Sequence, residues 1–285
     1  MRLTILAGLP KTGSSFLQSA LVDLSDQLTE YGIRYPFLGT PEIELRRVGN
    51  GKKIHQQILY EGLTENAVER IIQSANISKL SLLLAHESFY NSLPFLTESN
   101  LKTLRRAGFE NISLILYFRE PKEWAFRIYK QHTRYGRILS FEQFWKSWDG
   151  IKRVERLIKW TERNSDMCSL KVVSYRAVST SLLRNLLTYG LLLNDDRAQA
   201  LEESISRQVV NRSLSLCEIR FIQTAAYVSP WIARRISLLL ERLAIKRDDR
   251  SGFVAFCSEI PAEREARLNA LTERLASLDG LSRAR

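Results

Sequence analysis

Cysteine is scarce: three residues in 285, Cys168, Cys217 and Cys257, far apart and without a C-x-x-C spacing. That pattern excludes a disulfide framework and offers zinc no ligand set, so no metal and a reducing compartment are expected. Long apolar runs are missing too. No stretch approaches the ~20 residues that cross a bilayer, and the opening run from Leu3 to Ala7 is too short for the apolar core of a signal peptide. The expectation is a soluble, cytoplasmic protein with no transmembrane segment. Low-complexity linkers and internal repeats are also lacking, which favours a single α/β domain over residues 1–285.

Charge is present in abundance, 42 lysines and arginines against 31 acidic residues, a formal net charge of +11. Such a surface attracts anions: nucleotides, acidic glycans, nucleic acid or lipid headgroups. The basic residues are spread through predicted helices, as at Arg105, Arg106, Arg153, Arg156, Arg234 and Arg235, instead of forming one arm with interleaved aromatics. Nucleic acid is therefore not an expected partner, whereas peripheral contact with an anionic membrane surface stays open.

Apolar runs at 3–7, 80–85, 112–118 and 170–174, with a short extended piece at 31–37, alternate with helical stretches at 15–28, 64–76, 99–107, 121–135 and 141–163. This alternation predicts an α/β fold: a central, mostly parallel β-sheet flanked by helices, with ligands at the carboxyl ends of the strands. Beyond residue 180 only helices are predicted (181–189, 215–228, 231–245 and 261–278), a helical cap over 181–285 in which 194–212 is a polar connection. The stretch 38–62 shows no stable period and reads as a loop over the active face. Its Arg46, Arg47, Lys52, Lys53 and His55 would suit an anionic or sugar acceptor, or would simply be solvated.

The most informative stretch is MRLTILAGLPKTGSSFLQSA at the N-terminus. A buried strand leads into a tight turn from Gly8 to Ser14 and then a helix. Gly8 and Gly13 let the backbone approach an anion, and the helix presents free N–H groups and its positive dipole end. Lys11 adds a full charge, and Thr12, Ser14 and Ser15 add hydroxyls. The loop is not G-x-x-x-x-G-K-[ST], because Gly13 is followed by Ser14 and the lysine lies inside the turn. A plain strand-to-helix turn is the alternative.

Two further stretches end strands at the same predicted rim. LILYFREP places Arg119 at a strand's carboxyl end, and AHESFY does the same for His86 and Glu87, the candidate general bases.

The first stretch resembles the 5′-phosphosulfate loop of the sulfotransferases, G-x-P-K-[TS]-G-[TS]-[TS], complete here as Gly8, Pro10, Lys11, Thr12, Gly13, Ser14 and Ser15. The stretch from Leu114 resembles their 3′-phosphate site. Arg119, Pro121 and Tyr129 match, position 120 is Glu, and Arg127 stands where serine is expected. An arginine would replace a neutral donor with a charged fork; pairing with Glu123 at helical spacing is the alternative. Weaker matches, Tyr175 with Arg176 and the N-x-S-L-S segment within 211–220, carry the resemblance from residue 1 to about 220.

The resemblance implies a P-loop-type sulfotransferase fold with 3′-phosphoadenosine 5′-phosphosulfate (PAPS) as metal-free donor. Lys11 and the loop would hold the phosphosulfate, Arg119 and Arg127 the 3′-phosphate, and Glu87, favoured over His86, would act as base. The G-x-x-G-x-x-K loop of the small-molecule class is absent, which points to the bacterial and carbohydrate-modifying members. Their acceptor is a hydroxyl on a carbohydrate or glycolipid, with Tyr90, Trp145 and Trp148 as candidate sugar platforms. Two other readings are a P-loop kinase and a non-catalytic, sulfotransferase-like glycan-binding protein. The kinase would need magnesium ligands, yet the apolar runs end in Gly8, His86, Arg119 and Tyr175, none in aspartate.

Overall fold

The computed structural model describes residues 1–10, 12–38, 41–78, 80–134, 140–205 and 250–279, with scattered residues between 218 and 236. Lys11, most of the predicted helices 215–228 and 231–245, and the segment 211–217 lie outside the described residues.

Five strands form one parallel sheet: β1 (Arg2–Leu6), β2 (Ile33–Arg34), β3 (Ser81–Ala85), β4 (Asn111–Phe118) and β5 (Cys168–Ser174), in the order β2-β3-β1-β4-β5. Leu3 stands in register with Leu82 of β3 on one side and Ile112 of β4 on the other. The strands read as continuous apolar runs because both faces are covered. Leu83, Ala85, Ile115, Tyr117 and Val173 share one core with Leu17, Leu21 and Leu183, while the alternate residues Leu82, Leu84, Leu114 and Leu116 are equally buried on the other face. The predicted α/β architecture is the one observed.

The helices, in chain order, are α1 (Ser14–Asp23), α2 (Ser25–Glu30), α3 (Glu42–Val48), α4 (Lys52–Leu59), α5 (Thr64–Ser78), α6 (Phe89–Ser92), α7 (Glu98–Arg106), α8 (Pro121–Arg134), α9 (Phe141–Ser147), α10 (Gly150–Arg163), α11 (Tyr175–Val178), α12 (Leu182–Asn185) and α13 (Asp195–Glu203). Two more span Arg250–Ser258 and Ala262–Leu278. Local chemistry sets several starts. Thr97 and Asn100 form a reciprocal capping box ahead of α7, Ser140 and Gln143 do so ahead of α9, and Asn194 caps α13.

Several boundaries differ from the sequence expectation. The first helix breaks at Leu24 (φ −93°, ψ 0°) into α1 and α2, although no Gly or Pro marks the spot. The extended piece at 31–37 keeps only two paired residues. The stretch 38–62 is not a loop but α3 and α4, which bury Leu45, Ile54, His55 and Ile58; three apolar anchors spread over two short helices are too few to show a period. The connection at 194–212 contains α13.

The described residues fall in two compact units, one comprising 1–119, 152–208 and 275–285, the other 120–151 and 209–274. The first contains the whole sheet. The second is built on an aromatic cluster in which Tyr129, Trp145 and Trp148 surround Phe144 at ring-centroid distances of 5.5–5.7 Å. Phe256 packs against Trp145 with its ring tilted, the centroids 4.8 Å apart.

Candidate functional site

β1 lies in the centre of the sheet, and the chain leaves it first toward β2 and β3, then crosses to β4 and β5. The carboxyl ends of β1, β3 and β4 therefore meet at the switch point of the strand order, where parallel sheets open a crevice. Residues 8–15 follow β1, His86 and Glu87 follow β3, and Arg119 follows β4.

Beyond β1 the turn stays tied to the sheet. Ala7 N–H donates to Ile115 O (2.9 Å), Leu9 N–H donates to Tyr117 O (3.2 Å), and His86 N–H donates to Leu6 O (3.2 Å). Buried Thr12 closes the turn by donating its hydroxyl to Leu9 O at 2.6 Å. Gly13 then adopts a left-handed conformation (φ 80°) as N-cap of α1, and its side supplies no capping group. A Cβ at Gly13 would lie 2.5 Å from Leu182 Cδ2 and 3.2 Å from Tyr175 Cε2, so only glycine suits both its backbone and its surroundings. No acidic residue occupies the first turn of α1. Its uncapped amides and positive end suit an anion.

Tyr175 links the two predicted anion sites. Its ring borders Gly13 on one side, and the Arg119 guanidinium stacks on it 3.9 Å from the centroid. Glu87 stands on the opposite flank, where its Oε2 accepts from Ser14 Oγ at 3.4 Å. Gly8, Pro10, Thr12, Gly13, Ser14, Ser15, Glu87 and Arg119 are thus gathered along one rim. Pro10 and Ser15 are half-buried there.

The end of β3 is held by an unexpected clamp. β2 pairs only with Ser81 and Leu82, leaving the far half of β3 without a neighbour on that side. Asn50, completely buried, fills the gap: its Nδ2 donates to Leu83 O (3.0 Å) and its Oδ1 accepts from Ala85 N–H (2.8 Å). Gly51 N–H adds a bond to Ala85 O at 3.1 Å. A side-chain amide therefore does the work of a strand, and it fixes the position from which His86 and Glu87 depart.

No family model and no curated protein matches the chain. Among solved structures, 71% of the chain is similar to a retinol dehydratase determined in complex with androsterone and the inactive cofactor PAP, at 15% identity and a TM-score of 0.37. The match spans 64% of that protein, less than two thirds of its length.

His86 packs inward. Its ring stacks on His55 of α4 at 4.6 Å and 21°, and its Nδ1 accepts from Ser88 N–H at 3.1 Å, so the neutral ring carries its proton on Nε2. Burial, then the neighbouring His55 and Lys52, push its pKa down to about 3; burial alone takes His55 to about 4. Both rings are neutral at physiological pH.

Arg127 lies in the second unit, where its Nε and Nη2 donate to Glu123 Oε1 at 3.0 and 2.8 Å. That is the helical-spacing arrangement. Tyr90, Trp145 and Trp148 are core residues, at most 7% exposed, and so present no platform to a sugar. Arg46 is engaged by Asp23 and Glu42, and Lys52 by Glu44. Among the described residues no group of three or more His, Cys, Asp or Glu could hold a metal ion. Asn50 and the stacking role of Tyr175 escaped sequence reasoning. The first looked like loop punctuation between two glycines, while the second was visible only as an aromatic residue following a strand.

Proposed function

We propose that this chain is a cytoplasmic, PAPS-dependent sulfotransferase that moves a sulfuryl group to an acceptor hydroxyl. The observation that carries the reading is the glycine turn at the head of α1, with Glu87 and Arg119 delivered to its two flanks by the adjoining strands. In this reading the 5′-phosphosulfate lies against the turn, held by Lys11, the Ser15 hydroxyl and the first amides of α1; for the Thr12 and Ser14 hydroxyls to join them, their bonds to Leu9 O and Glu87 would have to open. Arg119 takes the 3′-phosphate. Arg127 is its proposed second contact, for which the bond to Glu123 would have to open.

Glu87 is the base we assign. Its carboxylate stands beside Ser14, whereas His86 has Nδ1 committed to a backbone amide and is reluctant to accept a proton. As the acceptor oxygen forms its bond to sulfur, Glu87 takes the hydroxyl proton. The sulfur–oxygen bond to phosphate breaks opposite the incoming oxygen, and the leaving phosphate keeps the electron pair under the cations and amides of the turn. A carbohydrate acceptor rests on the loop's resemblance alone. A sulfate increment sought by mass spectrometry in glycan fractions, with and without the protein, tests it.

Calorimetry with the desulfated nucleotide tests the site. Binding should vanish in Lys11→Ala and persist in Glu87→Gln, while Glu87→Gln lowers turnover by about 10²–10⁴-fold, the range for a lost general base. Unchanged affinity in Lys11→Ala would overturn the assignment.

A further inference from the structure

The other end of the sheet carries an unassigned feature. Across the amino ends of β1, β3 and β4 lies a cleft of about 640 Å³, lined among others by Arg2, Ser81 and Asn111 from the strands, Tyr31 from the turn before β2, and Leu192 and Arg197 from the segment entering α13. It lies wholly within the first unit, at the edge opposite residues 8–15. Its volume falls in the range of sites for small organic ligands.

The cleft gathers positive charge. Arg2 and Arg197 line it, and Lys171 lies close enough to Arg2 for that charge, after burial, to hold its ammonium below the usual lysine range. Among the described residues none of the three has a carboxylate partner. Arg2 Nη1 donates to Leu191 O (3.4 Å), Lys171 Nζ donates to Tyr189 O (2.8 Å), and Arg197 rests over the Tyr31 ring at 5.3 Å. One acid, Glu110, also lines the cleft. Both guanidinium groups therefore retain donors beyond these contacts, of a kind that suits oxyanions.

The wall formed by residues 191–193 is held in a costly shape. A single π-helical turn, Leu186–Gly190, precedes it, a rare form that is frequent at functional sites. Gly190 allows that turn to press on β4, since a Cβ there would lie 2.5 Å from Ile115 Cδ1. Leu192 follows in the left-handed region (φ 62°) with its side chain 55% exposed. The left-handed residue lets Leu193 N–H bond back to Leu187 O (3.0 Å) and so ends the turn, while its own side chain is left beside the cleft.

We propose that this cleft binds an organic oxyanion, a phosphate or sulfate ester with an apolar or aromatic body, its charged group held by Arg2 and Arg197 and its body against Tyr31 and Leu192. Inorganic phosphate or sulfate would fill only a small part of such a volume. The site is independent of the donor site proposed above.

Calorimetry with phenyl phosphate, and with inorganic phosphate alongside it, tests the assignment. Phenyl phosphate should bind more tightly than inorganic phosphate, lose about tenfold or more in affinity in Arg2→Gln and about fivefold in Arg197→Gln, and bind unchanged in Ser14→Ala. Arg197 is exposed on α13, so its substitution leaves the core intact even if Arg2→Gln folds poorly. Three outcomes would each overturn the proposal: no binding of phenyl phosphate, equal affinity for inorganic phosphate, or affinity lost in Ser14→Ala and retained in Arg197→Gln, which would move the ligand to the β1–α1 turn.

Discussion

The stacked imidazoles of His55 and His86 make stability depend on acidity. Each titrates near pH 6.5 when unfolded, but at about 4 and about 3 in the folded protein. Between those values the unfolded chain binds protons that the folded chain refuses, so stability is complete above about pH 6.5 and is lost as pH falls. With both rings contributing, the slope approaches about 2.7 kcal/mol per pH unit. His55 is the better probe because its buried Nδ1 has no hydrogen-bond partner, so removing that nitrogen breaks no hydrogen bond. His55→Phe should keep the stack, match or exceed the wild type near pH 7 and reduce the slope by about half. Urea midpoints measured between about pH 7 and about pH 5 give the comparison, and a wild-type midpoint that does not move would contradict it.

At the scale of elements, the clamp between the α3–α4 joint and β3 makes the sharpest demand. Asn50→Ala would strand both Leu83 O and Ala85 N–H in the interior, at about 1–3 kcal/mol each, and would loosen the start of the His86–Glu87 turn. Urea unfolding should register that loss, and amide exchange at Ala85 should accelerate; exchange as slow as in the wild type would show that the joint is not what shields the strand. This joint also marks where the sequence stops being readable. The strands declare themselves because burial on two faces writes an unbroken apolar run, and the rim residues are legible because each comes directly after such a run. Nothing near Gly49-Asn50-Gly51, by contrast, signals that an amide there will bond to a strand more than thirty positions later. Tyr90, Trp145 and Trp148 misled for a related reason: an aromatic ring serves a core and a sugar equally well, and only burial separates the two uses.

On the scale of the whole molecule, the position of β1 has a consequence for biosynthesis. The strand that bears the glycine turn is made before the other four but sits in the middle of the sheet, so both of its neighbours come later. Its nearest pairing partner in sequence is β3, with Leu3 waiting for Leu82, and its other side stays open until Ile112 arrives. Closing such distant pairings is what slows parallel sheets. A nascent chain displaying only residues 1–110 should therefore show no slowly exchanging amides in β1, and protection should appear once β4, which ends at Phe118, has cleared the exit tunnel. Protected β1 amides in the shorter chain would mean that β3 alone is enough to hold it. Arg119 comes one residue after β4, so the growing polypeptide pairs the second side of its central strand and delivers Arg119 beside the glycine turn almost together, and until then it has no folded sheet.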